Sequence, residues 1–415
     1  MNEVRGPRDE QDGDHDPANA CGMPTRRWLD RVRVALAALT VLALASPARG
    51  DSTQAVVFVA NAEDGTVGII DAQTHQTIRT INVIPDGPSP SITEAPLNAV
   101  TYPLVVAAVG ENWAQDLDVS PDGTVLYVSR GYRADVAAFD IASGAMIWQR
   151  PVAGFRSDHM TISPDGSRLY VSALTQNIIE VFDAADGSVI GTIPAGEWPH
   201  DNVFSPDGER VYNGSIGNIL VPPEIREARP SVPPVLPEPY VLTVADAGSL
   251  EVLRTITFDR GIRPFLFSSD ETRMYAQLSE FHGLVEFDLA GGAALRTLEL
   301  PIADGVTSDD YDFEAPHHGL AMSADERYLC VAGRASDYVA VVAIETMTVA
   351  AIIPVDDAPG WAETGPDGSS CYVASTRANT VSVISFEDFS LIAEIPTGAG
   401  PKYLASAYVP ASVLG

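Results

Sequence analysis

Seven histidines occur in the chain, and five of them fall where imidazoles can do chemistry: His159, His200, His282, His317 and His318. His159 stands four residues ahead of Ser163, the first residue of a Ser-Pro-Asp-Gly turn. His200 and His318 stand five ahead of the equivalent Ser205 and Ser323. Neutral imidazoles gathered from separate segments suit copper, zinc or iron, or a proton-transfer site. Asp116, Asp158 and Asp201 occupy similar positions and would orient such imidazoles or ligate beside them. The competing reading is a set of ordinary polar loop residues, because no HExxH or paired CxxC fixes a ligand spacing.

Cations show the same bias. The only lysine is Lys402. Arg130, Arg156, Arg263, Arg334 and Arg377 join it in segments expected near the histidines. A positive rim in an acidic protein would attract anions, and arginine holds a carboxylate or phosphate bidentately. The alternative is local pairing with acids such as Asp135, Asp259 and Asp337, which contributes little at a surface. Nucleophilic catalysis gains no support, since there is no GxSxG elbow. The acidic stretch Asp309, Asp310, Asp312 and Glu314 lacks EF-hand spacing, so a solvated loop is expected there.

A repeat must position these groups. Ser-Pro-Asp-Gly occurs at 120–123, 163–166 and 205–208, with degenerate copies at 268–271, 323–326 and 365–368. The basic period is about 42 residues, lengthened twice by inserts. In each unit a short apolar strand enters the turn, where proline fixes φ and Asp-Gly completes a tight reversal. Three further strands follow, the third ending in Asp before an Asx/Gly turn. Four antiparallel strands per repeat make one propeller blade. Residues 56–81 supply the last three strands of a further blade, and 401–409 supply its first. The expected fold is therefore all-β: a seven-bladed β-propeller of four-stranded antiparallel blades, closed by pairing its two terminal segments. No run of ten residues beyond the first fifty has helical periodicity, so no helix is expected.

Up-and-down connectivity then sorts the loops. All five histidines and the cations named above map to the face opposite the Pro-Asp-Gly turns. Insertions at 84–113, 216–240 and 301–317 decorate that same face, as lids or partner-binding elements do. The proline-rich strip 221–239 suits docking of a protein partner in polyproline II form.

SPDG-x-x-x-YVS followed by a strand ending in FD, with a period near 42, resembles the YVTN-type β-propeller repeats of exported bacterial proteins. The resemblance covers nearly all of residues 51–415. It implies a fold and no single activity, since similar propellers serve as binding scaffolds, as parts of periplasmic redox enzymes and as lyases. Neither a CxxCH haem motif nor a P-loop is present.

Residues 1–50 read as a signal peptide with an upstream extension, of Sec or twin-arginine type, with a basic stretch at 25–33 and an apolar core at 34–45. Such a core is too short for a permanent span, so no stable membrane insertion is expected after its removal. The expected location is periplasmic or extracellular. Removing the leader leaves Cys330 and Cys371, which fall in strands of successive repeats. Facing sheets lie about 10 Å apart, so two buried free thiols are expected. A formal net charge of −31 argues against nucleic acid and anionic membranes as partners. The chain thus reads as an exported propeller binding a protein partner or a small anionic ligand. The alternative is a periplasmic metal-dependent, redox or lyase enzyme using the histidines at the mouth of the central channel.

Overall fold

The computed structural model describes residues 52–221 and 240–415; the expected leader and nearly all of the proline-rich strip lie outside the described residues. The local chemistry of the turns is as their composition dictates. In the first, Gly123 N–H donates to Ser120 O (2.8 Å), and Asp122 Oδ1 accepts from the Ser120 hydroxyl at 2.6 Å and from Thr124 N–H at 3.1 Å. Gly123 sits at φ 71°, and a Cβ there would meet Tyr408 O at 2.8 Å. The degenerate copies place Glu271 (φ 51°) and Glu326 (φ 54°) in the same left-handed conformation, which costs a side-chain-bearing residue more than glycine.

Seven such units form seven four-stranded antiparallel sheets. Blade one joins the ends: Pro401–Pro410 pairs antiparallel with Thr53–Asn61, in a register that sets Val56 against Ala407 and Phe58 against Ala405. Blade one is completed by Thr66–Asp71 and Gln76–Asn82. The innermost strands of blades two to seven are Asp116–Val119, Ser157–Ile162, Pro199–Phe204, Ile262–Phe267, Leu320–Met322 and Pro359–Thr364. Each contacts the next around a closed ring that ends on Pro401–Pro410. Apolar residues of neighbouring blades interlock between the sheets, as Phe58, Ile69, Leu117, Leu126 and Phe139 do between blades one and two. Closure completes blade one, and the ring leaves only short strand edges, packed side by side around the channel.

Two expectations are corrected. Residues 84–113 contain a helix, α1 (Pro96–Val109), with proline in its first turn and Tyr102 as its only buried residue. Periodicity missed it because PLNAVTYPLVVAAV is apolar on every side. Trp113 pins it, its indole N–H donating to the Tyr102 hydroxyl at 2.7 Å.

The second correction concerns sulfur. Cys330 and Cys371 form a disulfide between the second strands of blades six and seven, with Cα atoms 6.4 Å apart. The free-thiol expectation used the mean spacing of facing sheets. Here Ala321, Ala332 and Ala362 fill the space around the pair, and such small side chains let the two sheets approach within bridging range.

Candidate metal centre

The innermost strands carry bulges where the site is built. Pairing shifts register between Ser157 and Met160 in blade three, between Pro199 and Asn202 in blade four, and between Ile262 and Phe265 in blade five. A regular strand alternates its side chains between faces; a bulge re-aims them. Asp158 and His159 therefore both reach buried positions, as do His200 and Asp201. The bulges also reconcile the four- and five-residue offsets of the histidines from their turns.

His159, His200 and His318, from blades three, four and six, converge. One ligating atom of each lies within 4.8 Å of the others. His159 and His200 meet edge to face with ring centroids 4.4 Å apart, and Trp361 stacks on His159 at 5.0 Å.

Each ring is held by its Nδ1. His159 Nδ1 lies 2.6 Å from Asp116 Oδ2, which also accepts from Met160 N–H at 3.2 Å. His200 Nδ1–H donates to Asp158 Oδ2 (2.8 Å), and His318 Nδ1–H to Gly360 O (2.9 Å). A carbonyl only accepts, which fixes the His318 tautomer. Burial alone would raise the Asp158 carboxyl, but the Arg156 guanidinium and His200 outweigh it and hold the carboxyl well below its usual range. As a carboxylate it can only accept, so His200 also carries its hydrogen on Nδ1.

Both rings therefore turn bare Nε2 lone pairs toward each other, and these atoms are 3.1 Å apart. Protonation does not relieve them readily. Burial lowers His200 despite Asp158, while burial and then His200 hold His318 well below the usual imidazole range. Burial, with His200 next, does the same to His159.

Above the rings lies a small pocket of ≈ 40 Å³ lined by His200 and His318 together with Arg156, Arg263, Arg334 and Lys402. Asp312 and Phe313, from the 301–317 insertion, complete its wall. Phe313 (φ 53°) and Glu314 (φ 61°) are consecutive non-glycine residues in the left-handed region, strain of the sort found at functional loops. Their carbonyls are used: Phe313 O accepts from Arg263, and Glu314 O from Glu280 N–H at 2.8 Å. Below the rings, the channel holds Asp116, Asp118, Asp201, Glu363 and Tyr403. Burial pushes Asp118 up to about 6, Asp201 to about 7 and Glu363 to about 8. The centre thus separates a cationic mouth from an acidic shaft.

The remaining expected residues fall elsewhere. His282 and His317 form a separate pair, 2.9 Å apart, with the Tyr338 hydroxyl 3.3 Å from His317. Arg130 does not face the pocket. It is fully buried, with Asp135 and Asp86 each at 2.7 Å, so its charge is consumed in tying the 84–113 insertion to blade two. Arg133 shares Asp86 at 2.6 Å. Arg377 is half-exposed and pairs with Asp312 (2.6 Å) and Asp357 (3.2 Å). The acidic stretch is therefore an ion-pairing element for Arg334 and Arg377 through Asp312. Sequence reasoning missed Trp361, Tyr403 and Gln115. Gln115 donates to Asp158 Oδ1 at 2.7 Å and reaches within 3.5 Å of His159 Nε2. The one signal for it was its place beside Asp116, at the same offset from the turn as His200.

No protein-family model matches the chain, and no curated protein sequence matches it. Among solved structures, a chain of Kuenenia stuttgartiensis Hydrazine Synthase is similar at TM-score 0.60 and 19% identity, over 80% of this chain and 92% of that one. At that identity the likeness establishes the seven-bladed β-propeller and nothing of the chemistry.

Proposed function

We propose that this protein binds one transition-metal ion through His159, His200 and His318 and presents it to a small anionic ligand in the arginine-lined pocket. The observation that carries this reading is the pair of bare Nε2 atoms 3.1 Å apart. Two such lone pairs repel unless they share a cation. Nitrogens bound to one tetrahedral zinc at about 2.0–2.1 Å lie roughly 3.3 Å from each other, close to the spacing present. His159 offers the third donor, its ligating atom within 4.8 Å of the other two. Nitrogen donors suit zinc, copper or iron, and the Nδ1 partners Asp116, Asp158 and Gly360 O supply the outer support that metal-bound imidazoles need.

Three protein ligands leave a fourth position facing the pocket, the arrangement of catalytic rather than structural zinc. A bound ion would polarise a ligand oxygen or acidify a water there. Lys402, pushed down to about 7 by burial and then by Arg156 and Arg334, stands beside that position and would exchange protons near neutral pH. This favours a metal-dependent enzyme over a passive scaffold.

Export to an oxidising compartment belongs to the same proposal; the Cys330–Cys371 disulfide supports it. The YVTN-like repeat points to the same exported class. Elemental analysis of purified protein, repeated after reconstitution with zinc, copper and iron salts, tests the reading. About one equivalent of metal is expected, reduced to near zero in a His200→Ala, His318→Ala variant. Wild-type protein that retains none of the three metals would overturn it.

A further inference from the structure

The pocket above the histidines adjoins a second cavity of different character. This groove, ≈ 270 Å³, is lined almost wholly by apolar groups, among them Val105 and Val109 of α1, Phe155 and Ile219. Leu174, Trp198, Ile219, Phe313 and Arg156 line both cavities, so the two lie side by side. Sites that combine an apolar body with a few converging polar groups are the usual form of a small-molecule site.

The polar end has a surplus of positive charge. Among the described residues, Arg156, Arg334 and Lys402 meet only Asp158 and Asp312 on the pocket wall, and Asp312 is shared with Arg377. Buried Nε atoms of Arg156 and Arg334 have no hydrogen-bond partner among the described residues. The Lys402 ammonium takes part in no hydrogen bond or ion pair among them either. A metal ion would add to the surplus. The space at this end is narrow, ≈ 40 Å³ against ≈ 270 Å³ in the groove, which favours a compact, flat head group such as a carboxylate over a bulkier anion.

We infer that the ligand is an amphiphilic monocarboxylate, its carboxylate seated between the metal and Arg156, Arg334 and Lys402, and its aryl or branched apolar tail lying in the groove against α1. This inference rests on the metal reading above. It also gives the otherwise unexpected helix a role, since α1 supplies one wall of the tail site.

The test is calorimetric titration of the metal-reconstituted full chain with acetate, 4-phenylbutyrate, 4-phenylbutyramide and phenyl phosphate, with metal content measured on every sample. Phenylbutyrate is expected to bind at least tenfold more tightly than acetate, because its ring is buried, and at least tenfold more tightly than its neutral amide. Val105→Asp and Phe155→Asp should each weaken phenylbutyrate about tenfold. One equivalent of metal with equal affinity for acetate and phenylbutyrate would overturn the inference and leave the metal reading intact. Tighter binding of phenyl phosphate, or amide binding as tight as the acid, would also overturn it. Protein that takes up no metal removes the earlier reading and this inference with it.

Discussion

His200 and His318 are 118 residues apart in the chain, yet their Nε2 atoms are 3.1 Å apart, and with each Nδ1–H committed to its anchor the neutral rings have no hydrogen to place between them. Two anchors enforce that approach from behind, Asp158 on one ring and the Gly360 carbonyl on the other. Loosening an anchor should weaken the centre without unfolding it. Asp158→Asn keeps the size of the side chain and removes its charge. Metal affinity is expected to drop about 10- to 100-fold, the usual cost of losing such a partner, as read by competition with a chelator. Circular dichroism should remain that of the parent.

The buried cage around Arg130 is a separate matter of stability. Asp86 and Asp135 neutralise a guanidinium with no solvent contact. Asp86→Ala leaves that charge short of a partner, and breaking a buried pair in this way costs about 3–5 kcal/mol. Denaturant unfolding should show a loss of that size. Metal content at 20 °C should not change, because the cage lies outside the pocket.

Blades six and seven are joined covalently by Cys330 and Cys371, which enclose a loop with a sequence separation of 41. A Cys330→Ala, Cys371→Ala double variant should lose about 2–4 kcal/mol, seen as a lower melting temperature. Reductant should lower the melting temperature of the parent and leave the variant unaffected.

The acidic shaft predicts an unusual dependence on pH. Burial raises Asp118 to about 6 and Glu363 to about 8, outweighing the backbone N–H groups they accept from. Between their ordinary values and these, the folded protein holds protons that the unfolded chain has released, which lowers stability as pH rises. The buried His159, His200 and His318 raise it with pH up to about 6.5, so the net fall runs from there to about 8. Lys402 works in the opposite sense. Its folded value is about 7 against an ordinary 10.5, so stability recovers above neutrality. Melting temperature measured from pH 5 to 10 should pass through a shallow minimum near pH 7–8. Glu363→Gln should flatten the falling limb.

The architecture was readable because its signals are local: a proline that sets φ, an Asp-Gly that completes the turn, and strands that alternate about them. Counting those turns was enough to close the ring through Pro401–Pro410. The site was half readable. His159, His200 and His318 stood out by their offset from the turns, and Asp116 and Asp158 by similar positions. The bulges at Ser157–Met160 and Pro199–Asn202 were not visible, since an extra residue in a strand leaves no mark in composition. Without them the partners of each imidazole could not be assigned. Trp361 and Tyr403 carry no mark of their role in the sequence, and only the ring brings them to His159. Arg130 misled because a guanidinium in a loop looks the same whether it awaits a ligand or is already enclosed by Asp86, which lies 44 positions away.

The strand that completes blade one also carries Lys402 and Tyr403. Every other wall of the centre is made earlier in synthesis, but these two arrive with the final segment of the described chain. A nascent polypeptide therefore cannot own a finished candidate centre, and any competence for the proposed metal and ligand begins only when the circle is fastened.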